Sequence, residues 1–381
     1  NEAPVTINVS DEETLLDAAR KANVAIDAPC SGNGSCGKCR VKLVSGQTEG
    51  LQTSHISDEE FAEGWRLSCC TYARSDVTVQ VPDIASAYRS RMKTADLSSG
   101  EEVAIFEQLL DGVREAGIAL KNRFEAVELT LDEPTLDDTM PDNERLERAL
   151  TEKTGCDTIE LPFFPLRKLP HVLRESNFSV KVAGERFDDR FVVYDILPAA
   201  DTAPLCGLAI DIGTTTVSAV LFDLKDGRLL AKASGGNGQI RYGADVINRI
   251  VEQGKPGGRK KLQDAIVKET LVPLIAALCK QAGVTATRIL RVSVGANTTM
   301  NHLLVGVDAE SVRTEPYIPA FFHWNGLRGG DLALPVHPNA RILIAPNIGS
   351  YVGGDITAGT FAGMIWNKDE LSLFIDLGTN G

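Results

Sequence analysis

The stretch Cys30–Cys39, CSGNGSCGKC, places three cysteines and three glycines within ten residues. Five residues separate Cys30 from Cys36, two separate Cys36 from Cys39, and the next cysteine, Cys69, follows after 29 residues. Thiols this close together form disulfides, bind zinc or hold an iron–sulfur cluster. Other features of the sequence distinguish between these three possibilities.

The distribution of cysteines argues against a disulfide scaffold. The chain has 381 residues and eight cysteines, five of which fall between Cys30 and Cys70. Clustering of this kind in a long chain indicates a metal site. Zinc sites usually combine two separated C-x-x-C or C-x-x-H pairs, and only one C-x-x-C is present here. A 2Fe-2S cluster fits better, with three thiolates from one loop and a fourth from a distant strand.

The glycines of the loop have a physical role in such a site. Gly32, Gly34 and Gly37 allow the backbone to approach a cluster closely, so that its N–H groups point inward. The fourth ligand is left open by the spacing, because Cys69 and Cys70 are adjacent. Either residue satisfies the pattern.

Composition and charge narrow the class of protein. The net charge is -13 and hydrophobic residues make up 43% of the chain, which is typical of globular protein. Acidic residues are in excess mainly between residues 101 and 205, which argues against a nucleic-acid partner and allows a docking face for a protein. The longest apolar runs are shorter than a membrane span, so we expect a cytoplasmic protein with no membrane contact.

Alternating and helical patterns predict a multidomain α/β chain. Strands are expected at VTINV, CRVKLVSGQ, VTVQV, AVELTL, FVVYDIL, LAIDIG, VSAVLFDL, GRLLAKAS, ILRVSVG, RILIAP and in LSLFIDLGTNG, and helices at 101–120, 143–155, 243–254, 259–282 and 298–305. The predicted units are an N-terminal unit at 1–84, a linker with a helix at 85–123, an acidic middle unit at 124–205 and a C-terminal unit at 206–381.

Two similar turns in the C-terminal unit carry phosphate-binding chemistry. One is Asp211-Ile212-Gly213-Thr214-Thr215-Thr216, and the other is Asp376-Leu377-Gly378-Thr379-Asn380-Gly381. Each has an aspartate, a glycine that lets the backbone approach an anion, and hydroxyl or amide donors. The aspartates would hold Mg2+ through water. A hairpin turn is the alternative for either loop alone, and the repetition favours phosphate.

The N-terminal unit resembles the β-grasp ferredoxin domain of the 2Fe-2S class, on the strings CSGNGSCGKCRVKLVSG and RLSC. The fourth ligand of that family ends the RLSC stretch, so the resemblance implies Cys69. Domains of this kind usually begin with a strand before VTINV, and we expect this first strand to be missing.

The paired turns resemble the first and second phosphate motifs of the superfamily that contains sugar and acetate kinases, Hsp70 and actin. The resemblance implies a ribonuclease-H-like fold that binds ATP with Mg2+. An adenosine-binding segment follows the second motif in that superfamily, so we expect a C-terminal unit that is truncated to its first half and binds ATP poorly.

The order of the units is similar to that of the reductive activators of corrinoid proteins. Further strings agree: EPTLDDTMPDNERLERAL, QIRYGADVINRI, VGANTTMNHLLVG and PNIGSYVGGDITAG. The resemblance implies ATP-dependent transfer of one electron from a 2Fe-2S cluster to Co(II), which regenerates Co(I) for methyl transfer. It also implies a corrinoid protein of a methyltransferase system as partner, an external low-potential electron donor and a homodimer.

Within this resemblance, further residues are candidates for the site. Asp245 would orient the attacking water or the metal, although a helix-capping carboxylate is the alternative. Asn297 and Thr298 would line the nucleotide cleft. Ser350 would face the corrinoid, although it also suits an ordinary turn. The expected ligand sets are Cys30, Cys36, Cys39 and Cys69 for the cluster, and Asp211, Gly213, Thr214, Thr215, Asn297, Thr298, Asp376, Gly378, Thr379 and Asn380 for phosphate and magnesium.

Two other functions remain open from the sequence. The chain would be an ATP-coupled electron donor to another low-potential enzyme, as in the activators of 2-hydroxyacyl-CoA dehydratases, which hold a 4Fe-4S cluster. Alternatively, it would be a ferredoxin electron carrier whose C-terminal unit only docks or senses nucleotide.

Overall fold

The structure is a computed structural model, and it describes residues 4–22, 24, 26, 28, 32, 34–35, 37–82, 100–118 and 123–376. Five predicted site residues lie outside the described residues: Cys30, Cys36, Gly378, Thr379 and Asn380. Among the described helices, none is long and apolar enough to cross a membrane.

The N-terminal unit is built from short strands and two helices. Its elements are α1 (Leu15–Lys21), β1 (Arg40–Ser45), β2 (Thr48–Gly50), α2 (Asp58–Ala62), β3 (Trp65–Leu67), β4 (Thr71–Ala73) and β5 (Thr78–Gln80). The strand order is β3-β1-β5 in one sheet and β2-β4 in another. Capping boxes at Thr14 and Ser57 fix the start of each helix.

The prediction of a strand at VTINV is wrong. Residues 4–10 form no strand, no strand of the described part of the chain pairs with them, and Val5 is 60% exposed. An alternating pattern forms a strand only where a neighbouring strand satisfies its backbone groups.

The linker and the middle unit follow. The linker contains α3 (Gly100–Glu115), near the predicted range. The middle unit contains β6 (Phe124–Thr130), α4 (Asp142–Thr154), β7 (Thr158–Glu160), α5 (Phe163–Glu175), β8 (Ser179–Phe187) and β9 (Arg190–Pro198). Its sheet has the order β6-β8-β9-β7, and its two helices pack on that sheet around Leu146, Leu150 and Leu169. As predicted, α4 ends at Gly155, whose φ of 71° suits glycine.

The C-terminal unit has one five-stranded sheet. Its strands are β10 (Cys206–Ile212), β11 (Thr216–Asp223), β12 (Leu229–Gly236), β13 (Ile289–Ala296) and β14 (Arg341–Ile344), in the order β12-β11-β10-β13-β14. The first three form an antiparallel meander, whereas β13 runs parallel to β10 and β14 parallel to β13.

The helices of the C-terminal unit are α6 (Val246–Gln253), α7 (Gly258–Ile266), α8 (Val272–Ala282), α9 (Thr298–Val305), α10 (Glu310–Arg313) and α11 (Gly354–Ala362). A π-helical turn at Val267–Leu271 joins α7 to α8, so the single helix predicted over 259–282 is interrupted. The strand predicted in LSLFIDLGTNG is wrong for the described residues 371–376, which have no sheet partner and expose Leu373 by 84%.

A buried ionic cluster joins the middle unit to the sheet of the C-terminal unit. Glu185 of β8 is fully buried and accepts a hydrogen bond from the hydroxyl of Tyr194 on β9. Arg291 of β13 and Arg341 of β14 lie 3.5 Å and 3.4 Å from its carboxylate. Burial raises the pKa of Tyr194, and the hydrogen bond to Glu185 raises it further. Both arginines compensate the buried charge of Glu185, so the two units are held together at this point.

Candidate functional sites

The first candidate site is a group of thiols in the N-terminal unit. Cys39 precedes β1 directly, and Cys69 lies in the 3-10 turn Ser68–Cys70 that follows β3. Because β1 and β3 pair antiparallel, the two sulfur atoms come within 3.2 Å of each other. Both side chains are buried and neither forms a disulfide. The structure therefore brings together two of the four predicted cluster ligands.

The hydrogen bond between these thiols changes both pKa values. It lowers the pKa of Cys39 and raises that of Cys69, so the Cys39 thiol loses its proton more readily than an ordinary cysteine does. Thiolates are the form that binds iron. Two buried thiols that converge and form no disulfide therefore fit a cluster that binds them as thiolates.

The loop around the thiols depends on glycine. Gly37 has a φ of 65°, and a Cβ built there would lie 2.6 Å from Cγ of His55. Gly34 has a φ of 73°, and a Cβ there would lie 3.0 Å from Sγ of Cys70. A Cβ would clash at Gly37, and residues other than glycine rarely adopt the backbone conformation of either position. At both glycines the backbone lies close to a neighbouring side chain, whereas the expected approach to a cluster stays a prediction.

The second candidate site is a large cleft at the carboxyl ends of the parallel strands. It has a volume of about 1720 Å³. Asp211 lies near the end of β10, Asn297 directly follows β13, and the segment 345–355 follows β14. Ligands of α/β sheets commonly bind at this end of the strands. Predicted residues in its wall are Asp211, Gly213, Thr214, Thr215, Asn297, Ser350 and Asp376.

The turn between β10 and β11 forms the floor of this cleft. The side-chain amide of Asn237 donates to the carbonyl of Gly213 over 2.9 Å, and its backbone N–H donates to the carbonyl of Thr215 over 2.8 Å. A Cβ on Gly213 would lie 2.7 Å from the carbonyl oxygen of Thr216. The turn is thus held tightly from behind, and only glycine fits at its first position.

Thr214 is linked to two other elements. Its hydroxyl accepts a hydrogen bond from Nδ2 of Asn297 over 3.3 Å, and its carbonyl accepts one from Arg249 of α6. Arg249 is fully buried, and burial lowers its pKa to about 9. It also donates to the carbonyl of Gly243 over 2.9 Å and to Oε1 of Gln239 over 3.1 Å. Its positive charge therefore lies directly behind the turn.

Helix α9 begins in the wall of the cleft. Asn297 caps it by accepting from the N–H of Met300 over 2.9 Å. Thr298 was predicted to line the cleft, but its side chain is fully buried and donates to the carbonyl of Gly349 over 2.6 Å. Its neighbour Thr299 lines the cleft instead. Thr298 therefore anchors the segment after β14.

Three carboxylates face each other across the cleft. Asp211 is accessible from the cleft, yet desolvation, with repulsion from Asp355 and Asp376, raises its pKa to about 6. Desolvation likewise raises the pKa of Asp355, with repulsion from Asp376 adding to it. Within the described residues, no three acidic, histidine or cysteine side chains are close enough to ligate one metal ion directly. The arrangement fits Mg2+ held through its water ligands.

Asp245 and Ser350 have structural contacts in addition to their predicted roles. Asp245 caps α6: Oδ1 accepts from the N–H of Asn248 and Oδ2 from its side-chain amide, each over 2.8 Å. Ser350 lines the cleft, and its hydroxyl donates to the carbonyl of Tyr317. The helix-capping alternative for Asp245 is present in the structure, whereas its catalytic role stays a prediction.

Sequence reasoning missed Asp355, Arg249 and Asn237. Asp355 lies in the first turn of α11, which starts ten residues after β14 ends. Its position after a strand of the parallel sheet is a signal that could have identified it. Arg249 and Asn237 act through buried contacts behind the turn, which no spacing in the sequence reveals.

Three family models match the chain. The 2Fe-2S iron-sulfur cluster binding domain matches residues 1–74, the RACo linker region matches residues 113–203, and the RACo middle region matches residues 206–367. The family's linker region thus includes the segment that we describe as the middle unit.

Similar proteins agree with these matches. The corrinoid activation enzyme RamQ of Eubacterium limosum is 27% identical and covers 98% of this chain and 56% of its own length. A solved reductive activator for corrinoid, iron-sulfur protein is 34% identical, with a TM-score of 0.60, and covers 98% of this chain and 58% of its own. A component of the Na(+)-translocating NADH-quinone reductase of Actinobacillus succinogenes is 40% identical over 91 residues, 21% of this chain and 22% of its own length.

The chain spans little more than half the length of RamQ and of the solved activator. The three matched regions follow one another along the chain, and each lies mainly within one of the three units described above. The chain is therefore similar over nearly its whole length to a reductive activator of a corrinoid protein, and it matches in turn the models of the 2Fe-2S domain, the RACo linker region and the RACo middle region.

Proposed function

We propose that this chain is part of an ATP-dependent activator that delivers one low-potential electron to the Co(II) form of a corrinoid protein and so regenerates Co(I). The observation that carries the proposal is the presence, in one chain, of converging buried thiols and of a cleft with a phosphate-binding turn and three carboxylates. The homologues named above support the corrinoid protein as the partner.

Four cysteines would hold the cluster: Cys30, Cys36, Cys39 and Cys69. The 3.2 Å contact between the sulfur atoms of Cys39 and Cys69 supports this set, since cluster ligands from distant segments have to converge. When bound, a plant-type 2Fe-2S cluster supplies one electron near -400 mV. Burial of both thiols keeps water away from the sulfur atoms.

The cleft would hold the phosphates of ATP and their magnesium ion. Gly213, Thr214 and Thr215 would contact phosphate, and the resemblance gives Gly378, Thr379 and Asn380 the same role. Asn297 and Thr298 would fix the cleft wall, and Asp211 and Asp376 would bind the waters of Mg2+. The sheet order β12-β11-β10-β13-β14 supports an assignment to the actin, Hsp70 and sugar kinase type of fold.

ATP has an energetic role in this proposal. Reducing a cobalt centre whose potential lies below that of the cluster costs about 2.3 kcal/mol for every 100 mV. ATP can offset this cost by changing the conformation of the complex between the activator and the corrinoid protein. This requires that the conformations before and after the change bind nucleotide with different affinity. Asp245 would orient water or the metal, and Ser350 would face the corrinoid. We further propose an external electron donor, a homodimer and a cytoplasmic location.

One experiment tests the proposal directly. The purified protein is analysed for iron and by EPR in its reduced state, and is then mixed with a Co(II) corrinoid protein and a low-potential reductant, with and without Mg-ATP. We expect two irons per chain, the EPR signal of a reduced 2Fe-2S cluster, and an absorption band of Co(I) that needs ATP. A 4Fe-4S signal, or no Co(I) band under these conditions, contradicts the proposal.

A further inference from the structure

Cys70 has a defined position beside the thiol pair, although neither the cluster pattern nor the cleft requires it. It ends the turn Ser68–Cys70, is half-buried, and its sulfur atom lies 3.5 Å from that of Cys69. On its other side it packs against Gly34, where an added Cβ would lie 3.0 Å from the same sulfur atom. Cys70 is therefore held between Cys69 and the glycine loop.

The direction of the contact between Cys69 and Cys70 follows from ligand chemistry. A cysteine that binds iron is a thiolate and can only accept a hydrogen bond. If Cys69 is the ligand, only the S–H group of Cys70 can donate across the 3.5 Å between the two sulfur atoms. Hydrogen bonds to the sulfur atoms of a cluster tune its reduction potential.

We infer that Cys70 is a positioning residue that does not bind iron, and that its S–H group donates to Sγ of Cys69 and raises the reduction potential of the cluster. The donor stabilises the reduced state more than the oxidised state, because the reduced cluster and its ligands carry one more negative charge. The inference rests on the proposed function, since it requires a cluster bound by Cys69.

Two substitutions at this position separate the hydrogen bond from packing. Cys70→Ala removes the donor, whereas Cys70→Ser keeps a hydroxyl donor in a side chain of similar size. Cys279→Ala is the control, because Cys279 is a buried thiol of α8 in the C-terminal unit. Iron content, the EPR spectrum of the reduced protein and the midpoint potential are measured for each variant.

We expect all variants to retain two irons per chain. Cys70→Ala should lower the equilibrium constant for one-electron reduction by three- to tenfold, and a tenfold change is about 59 mV for one electron. Cys70→Ser should stay closer to the wild-type potential than Cys70→Ala, and Cys279→Ala should not differ from the wild type.

Each other result contradicts the inference. Loss of iron in Cys70→Ala would make Cys70 a ligand, and an unchanged midpoint potential would remove its tuning role. Equal shifts in the alanine and serine variants would assign the effect to packing. A wild-type protein that binds no 2Fe-2S cluster would instead overturn the proposed function, and this inference with it.

Discussion

Arg249 donates to the carbonyl oxygen of Thr214 from a position that is fully buried behind the turn between β10 and β11. Burial lowers the pKa of this guanidinium, and the nearby charge of Asp245 acts in the opposite direction. A buried cation without a paired anion is costly, and a bound phosphate would compensate it. The turn and the arginine are therefore expected to act as a unit.

We expect Arg249→Met to destabilise the protein by about 3 kcal/mol or more, because it leaves the carbonyls of Thr214 and Gly243 and the amide oxygen of Gln239 buried without their donor. Chemical denaturation measures the free energy of unfolding. Arg259→Met is a matched control, since Arg259 is 49% exposed and pairs only at the surface with Asp308, so it should cost less than about 1 kcal/mol. Similar losses in both variants would contradict the role of Arg249.

Asp211 should make the stability of the nucleotide-free protein depend on pH. Its pKa is about 6 in the folded protein, above the ordinary value of 3.8, so the folded state binds its proton more tightly than the unfolded state. Stability from this group is present below pH 3.8 and is lost as the pH rises through 6. Asp211→Asn should therefore raise the melting temperature more at pH 7.5 than at pH 4.5.

The same substitution should weaken the stabilisation that Mg-ATP or Mg-ADP provides, which is measured at high nucleotide concentration because the sequence predicts weak binding. The melting temperature of wild type and Asp211→Asn is compared with and without Mg-nucleotide at pH 7.5. Asp226→Asn is a control on the surface turn before β12, and it should change neither value. In the experiment without nucleotide, an equal change of the melting temperature at pH 4.5 and pH 7.5 in Asp211→Asn would show that desolvation and repulsion from Asp355 do not raise the pKa of Asp211.

Several features of the fold and site could be predicted from the sequence because their signals are local. Cys39 and Cys69 each end a short motif, CGKC and RLSC, and the turn after Asp211 is a short motif as well. The structure contains both the contact between the two cysteines and the turn. VTINV failed as a strand because its pattern says nothing about a pairing partner. Asp355 and Arg249 were missed because their roles arise only when strands and helices distant in the chain come together.

The buried Glu185 should be essential for the contact between the middle unit and the C-terminal unit. Glu185→Gln removes the buried charge that faces Arg291 and Arg341. Breaking a buried pair on one side costs about 3–5 kcal/mol, which denaturation measures. Tyr194→Phe removes only the hydroxyl donor and should cost about 1 kcal/mol. If Glu185→Gln lowers the free energy of unfolding by less than about 1 kcal/mol, other groups compensate the charges of the two arginines.

Asp245 allows helix capping to be separated from catalysis. Asn is as good an N-cap as Asp, so Asp245→Asn should keep the hydrogen bond to the N–H of Asn248 and leave stability within about 0.5 kcal/mol, whereas Asp245→Ala should lose about 1 kcal/mol. If the charge orients water or metal, Asp245→Asn lowers ATP hydrolysis at least about tenfold without unfolding the helix, which corresponds to about 1.4 kcal/mol in the barrier. Circular dichroism and hydrolysis are measured on the same preparations. The cap needs only an oxygen acceptor, whereas the catalytic role needs the negative charge. If Asp245→Asn hydrolyses ATP at the wild-type rate and only Asp245→Ala loses stability, Asp245 is a helix cap without a catalytic role.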